Sequence, residues 1–181
     1  ECLQFMTGRE LHEGEDMIRE GLRIIAHMYM RVKEAGKKYN LKFSLEESPA
    51  ESASRRLAKV DVRNYPEAAE IVKGNIEKDE FYYTNSIHLR PDAPVDMITR
   101  IFLQSKFHTM IESGAIIHAF VGEERPPASS IMNLVKKTFK NTQAAQLTIS
   151  PEFTICSDCK KVTQKLTDIC KYCGSRNVYG I

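Results

Sequence analysis

Two Cys-x-x-Cys pairs, Cys156-Ser-Asp-Cys159 and Cys170-Lys-Tyr-Cys173, stand ten residues apart near the end of the chain. They constrain it more than any other feature. A Cys-x-x-Cys step turns two side chains over one tight bend, and two such knuckles supply a tetrahedron of thiolates about 2.3 Å from a zinc ion. Gly174, directly after the last cysteine, suits the tight backbone a knuckle needs. Paired disulfides are the competing reading. Nothing else in the chain resembles a secreted protein, however, and in a cytosolic chain this pattern favours a metal. Zinc stands ahead of iron. Four cysteines leave no open position for water or substrate, so the site is structural and does not require His108 or His118. The segment holds few apolar residues (Ile155, Val162, Leu166, Ile169 and Tyr172), so metal binding supplies its folding energy. Cys2 has no neighbouring cysteine.

At 181 residues the chain has room for one main domain, expected over 1–151, and a terminal ribbon over 152–181. A net charge of +2 gives no push toward nucleic acid. The apolar runs fall far short of the roughly 18 residues a spanning helix needs, and no signal peptide opens the chain. The expected compartment is the cytoplasm, with no membrane partner.

Thr7-Gly-Arg-Glu10 has capping-box spacing, and a helix is expected from about 12 to 38. Ile18, Leu22, Ile25, Tyr29 and Val32 step 4, 3, 4, 3, with Met17, Ile24 and Met28 widening the stripe as core filler and His27 packed beside it. Leu41 to Glu46 alternates like a strand. Ser48-Pro49-Ala50-Glu51-Ser52-Ala53 opens another helix, with Ser48 as cap, Pro49 at the first position and Glu51 completing a capping box. A well-started helix is the plain reading. The sharper one is a phosphate site, where free N–H groups, the helix dipole, serine hydroxyls, Arg55 and Arg56 converge. Glu51 counts against an anion unless its side chain turns away.

Asn64 to Gly74 reads as a short capped helix or loop. Phe81 to Leu89 is dense in strand formers, yet it carries Thr84, Asn85, Ser86 and His88. Buried polar groups need hydrogen-bond partners, so this strand is expected to end at a loop lining a site; an ordinary edge strand is the alternative. A helix from about Pro94 to Ser113 follows, capped by Asp92 and closed by Gly114, with Ile98, Ile101, Phe102 and Ile111 toward the core. The apolar run Ala115–Val121 predicts a strand covered on both faces. A loop over 122–127, a helix near 129–140 and a strand at 146–150 complete the order. This alternation predicts an α/β architecture with parallel strands and crossover helices.

Four stretches, in this order, resemble the anaerobic, glycyl-radical (class III) ribonucleoside-triphosphate reductases. They are Thr7-Gly-Arg-Glu-Leu-His12, Ser48-Pro-Ala-Glu-Ser-Ala53, Tyr82-Tyr-Thr-Asn-Ser-Ile-His88, and Ile149-Ser-Pro-Glu-Phe-Thr-Ile-Cys156 leading into the second knuckle. The resemblance covers nearly the whole chain. It implies an α/β fold, the C-terminal part of a ten-stranded glycyl-radical-type barrel, followed by the small four-cysteine zinc ribbon. It also implies conversion of ribonucleoside triphosphates to deoxyribonucleoside triphosphates, by glycyl and thiyl radicals with formate as reductant, in an allosteric homodimer serving DNA replication. The glycyl radical is installed by a radical-SAM activase. By the same resemblance, substrate phosphates are held at the helix start Ala50, Glu51, Ser52 and Ala53, with Asn85 and His88 nearby. The thiyl cysteine is expected upstream of Glu1 and the radical glycine beyond the end of the chain, since Gly180 lacks the Arg-x-x-Gly-Tyr context. No catalytic residue is therefore assigned here, and the isolated chain is expected to be inactive.

Two other classes compete. A nucleic-acid-binding zinc ribbon on an α/β domain is one. Lys160, Lys161, Lys165, Lys171 and Arg176 against Asp158, Asp168, four thiolates and Zn²⁺ leave roughly +1, a poor footprint for phosphate backbones. A rubredoxin-like electron carrier is the other; its iron centre, held by the same four thiolates, is red, whereas zinc is colourless.

Overall fold

The computed structural model describes residues 1–48, 50–122, 126–150 and 152–180, with the backbone but not the side chain of Glu51. Pro49 and the Glu51 carboxylate, both parts of the expected capping box, therefore lie outside the described residues, as does the middle of the 122–127 loop. The chain forms two compact units. One comprises Glu1–Ile117 with Thr142–Gln146, and the other His118–Asn141 with Leu147–Ile181.

The first unit is built on α1 (Cys2–Thr7), α2 (Glu15–Tyr39), α3 (Glu51–Asn64) and α4 (Met97–His108), with a 3₁₀ turn at Pro66–Glu70. Its only described ladder is an antiparallel hairpin of β1 (Lys73–Asn75) and β2 (Glu80–Tyr82), with Gly74 facing Phe81. α2 packs on α4, and α3 on β2. One core cluster joins Ile18, Leu89, Ala93 and Leu103, and the other joins Ile87, Phe107, Ile111 and Ala115. The expected helices are present, but their ends and faces differ. Thr7 closes α1 instead of capping α2, because its hydroxyl donates to Leu3 O and Glu10 turns away to Lys73 and Arg90. α2 starts behind Gly14, with Glu15 and Asp16 in its first turn, where carboxylates suit the dipole. Met17 and Ile18 are buried, whereas His27 and Met28 are exposed, against expectation. Asp96, not Asp92, caps α4 by accepting from Thr99 N–H, since Asp92 is held by Arg90. The buried face of α4 carries Arg100, Ile101, Leu103, Gln104 and Phe107; Ile98 and Phe102 point to solvent.

Neither expected strand in this region forms as read. Leu41–Glu46 joins no ladder; Leu45 O accepts from Ser113 N–H and Glu47 N–H donates to Gly114 O, both at 2.9 Å. Of Phe81–Leu89 only Phe81 and Tyr82 are strand. Beyond them Ser86 takes φ 45° and His88 N–H closes a turn onto Asn85 O.

In the later part of the chain β3 (Ile117–Phe120) pairs with β4 (Leu147–Ser150), and α5 (Ala128–Asn141) connects them. Ile117 N–H meets Gln146 O and Val121 N–H meets Ser150 O, so positions advance together and the pair is parallel, as the alternation predicts. β3 is not covered on both faces, because Phe120 at its end is exposed. The ribbon is a three-stranded antiparallel sheet in the order β6 (Val162–Gln164), β5 (Phe153–Cys156), β7 (Val178–Gly180). The described sheets are thus small and separate. Among the described residues no helix is long and apolar enough to cross a membrane.

Candidate functional site

The four cysteines converge. Their sulfurs all lie within 4.8 Å of one another, Cys156–Cys173 and Cys159–Cys170 are each 3.6 Å apart, and all four are free thiols. An edge of that length belongs to a tetrahedron with a centre-to-vertex distance of about 2.2 Å, close to a zinc–thiolate bond of about 2.3 Å. The two knuckles share one backbone design. The N–H four residues on returns to the first cysteine's carbonyl, from Lys160 to Cys156 at 3.0 Å and from Gly174 to Cys170 at 2.9 Å. The first cysteine's own N–H reaches the carbonyl five residues on, at Lys161 and Ser175. Lys160 and Gly174 both adopt positive φ, 60° and 73°. Asp158 ties the knuckles together, accepting from Asn177 and Ser175 side chains.

The thiols respond to that crowding. The Tyr172 N–H, with neighbouring thiols, draws Cys170 down to about 6. At Cys173 the Ser175 N–H pulls down, but desolvation and three neighbouring sulfurs push the thiol up to about 12. Cys170 is thus drawn toward its thiolate and Cys173 away from it, and a cation held between the sulfurs would favour the thiolate form of Cys173 as well. The set fits a four-coordinate metal such as zinc.

The second site lies in the first unit, where a cavity of about 360 Å³ opens beside the loop after β2. His88, Glu47, Thr84 and Ser86 line it together with the ion-paired Glu10, Lys73 and Arg90. Leu11, Ile25 and Phe107 are among its apolar walls. Glu10 is gripped from both sides, by Lys73 Nζ at 2.8 Å and Arg90 Nε at 3.1 Å, and these cations hold its carboxyl below the usual range against the opposing effect of burial. Glu47 is buried, with side-chain exposure of only 2%. Its Oε2 accepts from Ile116 N–H at 2.8 Å, and its Oε1 lies 3.2 Å from His88 Nε2. Burial pushes this carboxyl up, but His88, the Ile116 N–H and His108 together hold it below the ordinary range. His108 Nδ1 accepts from Ala145 N–H at 2.9 Å, and burial lowers its pKa below that of a free imidazole.

The loop itself is shaped from α4. Arg100, buried, donates to the carbonyls of Leu89, Arg90 and Pro91, each at 3.0 Å. Spacing does not single out Arg100 or Glu47, and it marks Glu10 only as half of a capping box. Their partners lie too far along the chain for a periodic pattern to register.

The expected substrate residues are neighbours, though not all reach the cavity. Ser48 N–H donates to Ser86 Oγ at 3.1 Å and Tyr83 N–H to Ser54 O at 3.4 Å, so the start of α3 lies against the segment carrying Asn85 and His88. Ala50, not Ser48, is the N-cap, with no side-chain cap. His88 lines the cavity; Asn85, Ala50, Ser52 and Ala53 are not in its described lining.

The family model for anaerobic ribonucleoside-triphosphate reductase matches residues 1–181. The chain belongs to that family. A reductase of this name from Haemophilus influenzae is 24% identical over 108 residues, which is 60% of this chain and 14% of the relative. A solved anaerobic ribonucleotide reductase from Thermotoga maritima, in complex with dATP and CTP, superposes with a TM-score of 0.60. It is 20% identical over 88% of this chain and 24% of its own. A second Thermotoga maritima structure, with MES in its active site, gives a TM-score of 0.58 at 21% identity over 91% of this chain and 25% of its own. The chain thus spans about a seventh of the curated relative and a quarter of the solved reductases. At such identity the structural likeness is one of fold.

Proposed function

We propose that this chain is the nucleotide-holding and metal-stapled part of an anaerobic ribonucleoside-triphosphate reductase. The observation that carries the reading is the family match along all 181 residues. The apposition of the α3 start with the Asn85–His88 loop supports it. In this reading residues 1–151 contribute to a ten-stranded α/β barrel and residues 152–181 form a zinc ribbon. The first-turn N–H groups of α3, at Glu51, Ser52 and Ala53, bind substrate phosphates. Their cap position, Ala50, offers no side chain to compete for them. Asn85 and His88 orient the ribose side of the nucleotide. Cys156, Cys159, Cys170 and Cys173 hold Zn²⁺, which fixes the ribbon's fold and does no chemistry.

The reaction assigned to the whole enzyme replaces the ribose 2′-hydroxyl by hydrogen, with formate as reductant and a glycyl radical from a radical-SAM activase. The enzyme works in the cytoplasm as a dimer under nucleotide control, supplying DNA synthesis. The contribution of this chain's residues is binding and orientation. The test is titration of the chain with CTP, followed by amide NMR. Shifts should concentrate at 50–54 and 84–88, and Ser52→Pro, which removes one N–H, should weaken binding several-fold. Shifts confined to the ribbon lysines, or none, would refute the reading and favour the nucleic-acid-binding alternative.

A further inference from the structure

We propose that Asp158 is a positioning residue for the metal: its carboxylate clips the chain behind Cys173 to the first knuckle and sets how fast the ion can leave. The inference rests on the zinc reading of the cluster and assigns to it a residue that is not a ligand.

A bound ion is most vulnerable where a ligand meets solvent. Cys156 and Cys170 are buried and Cys159 is half-buried, but Cys173 is exposed. An exposed thiolate is open to protons and competing ligands, so the ion is lost first on the Cys173 side. Cys173 can swing out only if the chain directly behind it yields. Two backbone bonds hold that chain within the second knuckle, from Gly174 N–H to Cys170 O at 2.9 Å and from Cys170 N–H to Ser175 O at 2.8 Å. A third, from Ser157 N–H to Asn177 O at 2.8 Å, ties it to the first knuckle. Asp158, between the two cysteines of the first knuckle, adds a side-chain clip. Its Oδ1 accepts from Asn177 Nδ2 at 2.9 Å, and its Oδ2 accepts from the Ser175 hydroxyl. Ser175 Oγ in turn accepts the Asn177 N–H at 2.9 Å, which commits the hydroxyl proton to Asp158.

By charge alone a carboxylate is a poor choice at this place, because four thiolates around Zn²⁺ are already net negative. An amide of the same shape would be the milder neighbour. What the carboxylate alone offers is two acceptor oxygens, and it faces two donors, the Asn177 amide and the Ser175 hydroxyl. Hydrogen bonds to an ionised acceptor are also stronger than neutral ones. Beyond the sulfurs, the other side-chain contact between the knuckles is Lys161 Nζ over the Tyr172 ring at 4.8 Å, which fixes no direction as paired hydrogen bonds do. Asp158 and Asn177 are exposed, so the clip adds little to the folding of the ribbon. Its effect falls on the step in which Cys173 leaves the ion. A residue that orients ligands in this way acts on metal retention without touching the metal.

The experiment uses the full chain loaded with Zn²⁺ and, in parallel, with Co²⁺, whose thiolate absorption reports the ligand set. Release into an excess of a chromophoric chelator gives the rate. The expected result is one ion per chain and the same Co²⁺ spectrum in wild type, Asp158→Ala and Asn177→Asp, with release faster by about tenfold or more in both variants. Exchanging the partners, Asp158→Asn together with Asn177→Asp, should bring the rate back to within a few-fold of wild type, a rescue that general loosening of the ribbon would not allow. Ser175→Ala removes one of the two side-chain bonds and should fall between wild type and Asp158→Ala. A release rate in Asp158→Ala equal to that of wild type overturns the clip, as does an exchanged pair no slower than the single variants. Should Asp158→Ala fail to fold, Ser175→Ala and the exchanged pair decide by the same rates. A wild-type chain that takes up no metal overturns the zinc reading itself, whereas variants that hold the ion as long as wild type overturn only the clip.

Discussion

Stripping the metal from the ribbon should unfold the ribbon and leave the first unit folded. The structure sets the size of the effect. Among the described residues of the ribbon the buried ones are Thr154, Cys156, Thr163 and Cys170, so two of these four belong to the cysteine cluster and none is a large apolar side chain. Val162, Leu166, Ile169, Tyr172 and Tyr179 are all about half exposed, and Phe153, Ile155 and Val178 are only partly buried. A structural zinc site of this type is worth about 10–16 kcal/mol at neutral pH, as much as or more than the whole stability of an ordinary domain, about 5–15 kcal/mol. Hydrogen bonds across β6-β5-β7 cannot replace it, at about 0.5–1.5 kcal/mol net each.

The assay is trypsin cleavage with mass readout, before and after a strong chelator. Lys160, Lys161, Lys165, Lys171 and Arg176 are exposed in the folded ribbon and become cleavable when its backbone loosens. Single Cys→Ser variants should follow the geometry. Cys156 and Cys170 are buried, and their sulfurs accept the N–H groups of Cys159 and Tyr172, so their replacement should open the ribbon at lower chelator concentration than replacement of Cys159 or Cys173. A ribbon that stays resistant with its metal removed would refute the reasoning, as would a purified protein holding no metal.

Lys160→Gly should stabilise the metal-loaded ribbon by up to about 1 kcal/mol, because the residue sits at φ 60°, while Gly174→Ala at φ 73° should cost about 1–2 kcal/mol; chelator midpoints measure both. Phe107→Ala, at a side chain 1% exposed between α2 and α4, should cost the first unit about 3–5 kcal/mol in denaturant unfolding, and a loss under about 1 kcal/mol would show that the cluster is loosely packed. Arg100→Lys should lose about 2–4 kcal/mol and raise hydrogen exchange at 89–92, since an ammonium cannot serve three carbonyls from one plane; unchanged exchange would remove Arg100 from its role. Both Glu47 and His108 have folded pKa values below their unfolded ones, so each contributes stability that is present at neutral pH and lost on acidification. For His108 the loss begins below about 6.5 and for Glu47 below about 4.3. His108→Gln should therefore flatten the stability curve between pH 7 and 5, and a wild-type curve already flat there would refute the His108 assignment.

What is legible in the sequence is local. Cys-x-x-Cys spacing fixes which sulfurs meet because each knuckle closes within four residues, and α5 falls within a residue of its expected bounds because its apolar period, its start and its end are all encoded in one short window. Periodicity tells which residues of α2 share a face but not what covers that face, so it packs Met28 and His27, which are exposed. The first capping box fails for a related reason. A Glu three residues after a Thr can reach back only if nothing farther away claims it, and Glu10 is claimed by Lys73 and Arg90, 63 and 80 positions along.

The cavity residues are hidden by the same distances. Glu47 meets Ile116 across 69 positions, and nothing around Leu45-Glu46-Glu47-Ser48 marks one of its two carboxylates as buried. Arg100 is the plainest case. On a helix its charge reads as part of a solvated face, yet it is 8% exposed because the loop before α4 carries three carbonyls without a ladder to join. Buried carbonyls must find donors. A segment that looks like a strand but is salted with Thr, Asn, Ser and His, and then followed by Pro91 and Pro94, cannot supply those donors from a neighbouring strand. The irregular loop thus calls for a multivalent donor in the next element, and a guanidinium, with five N–H groups in one plane, is the side chain that meets the demand from a single position.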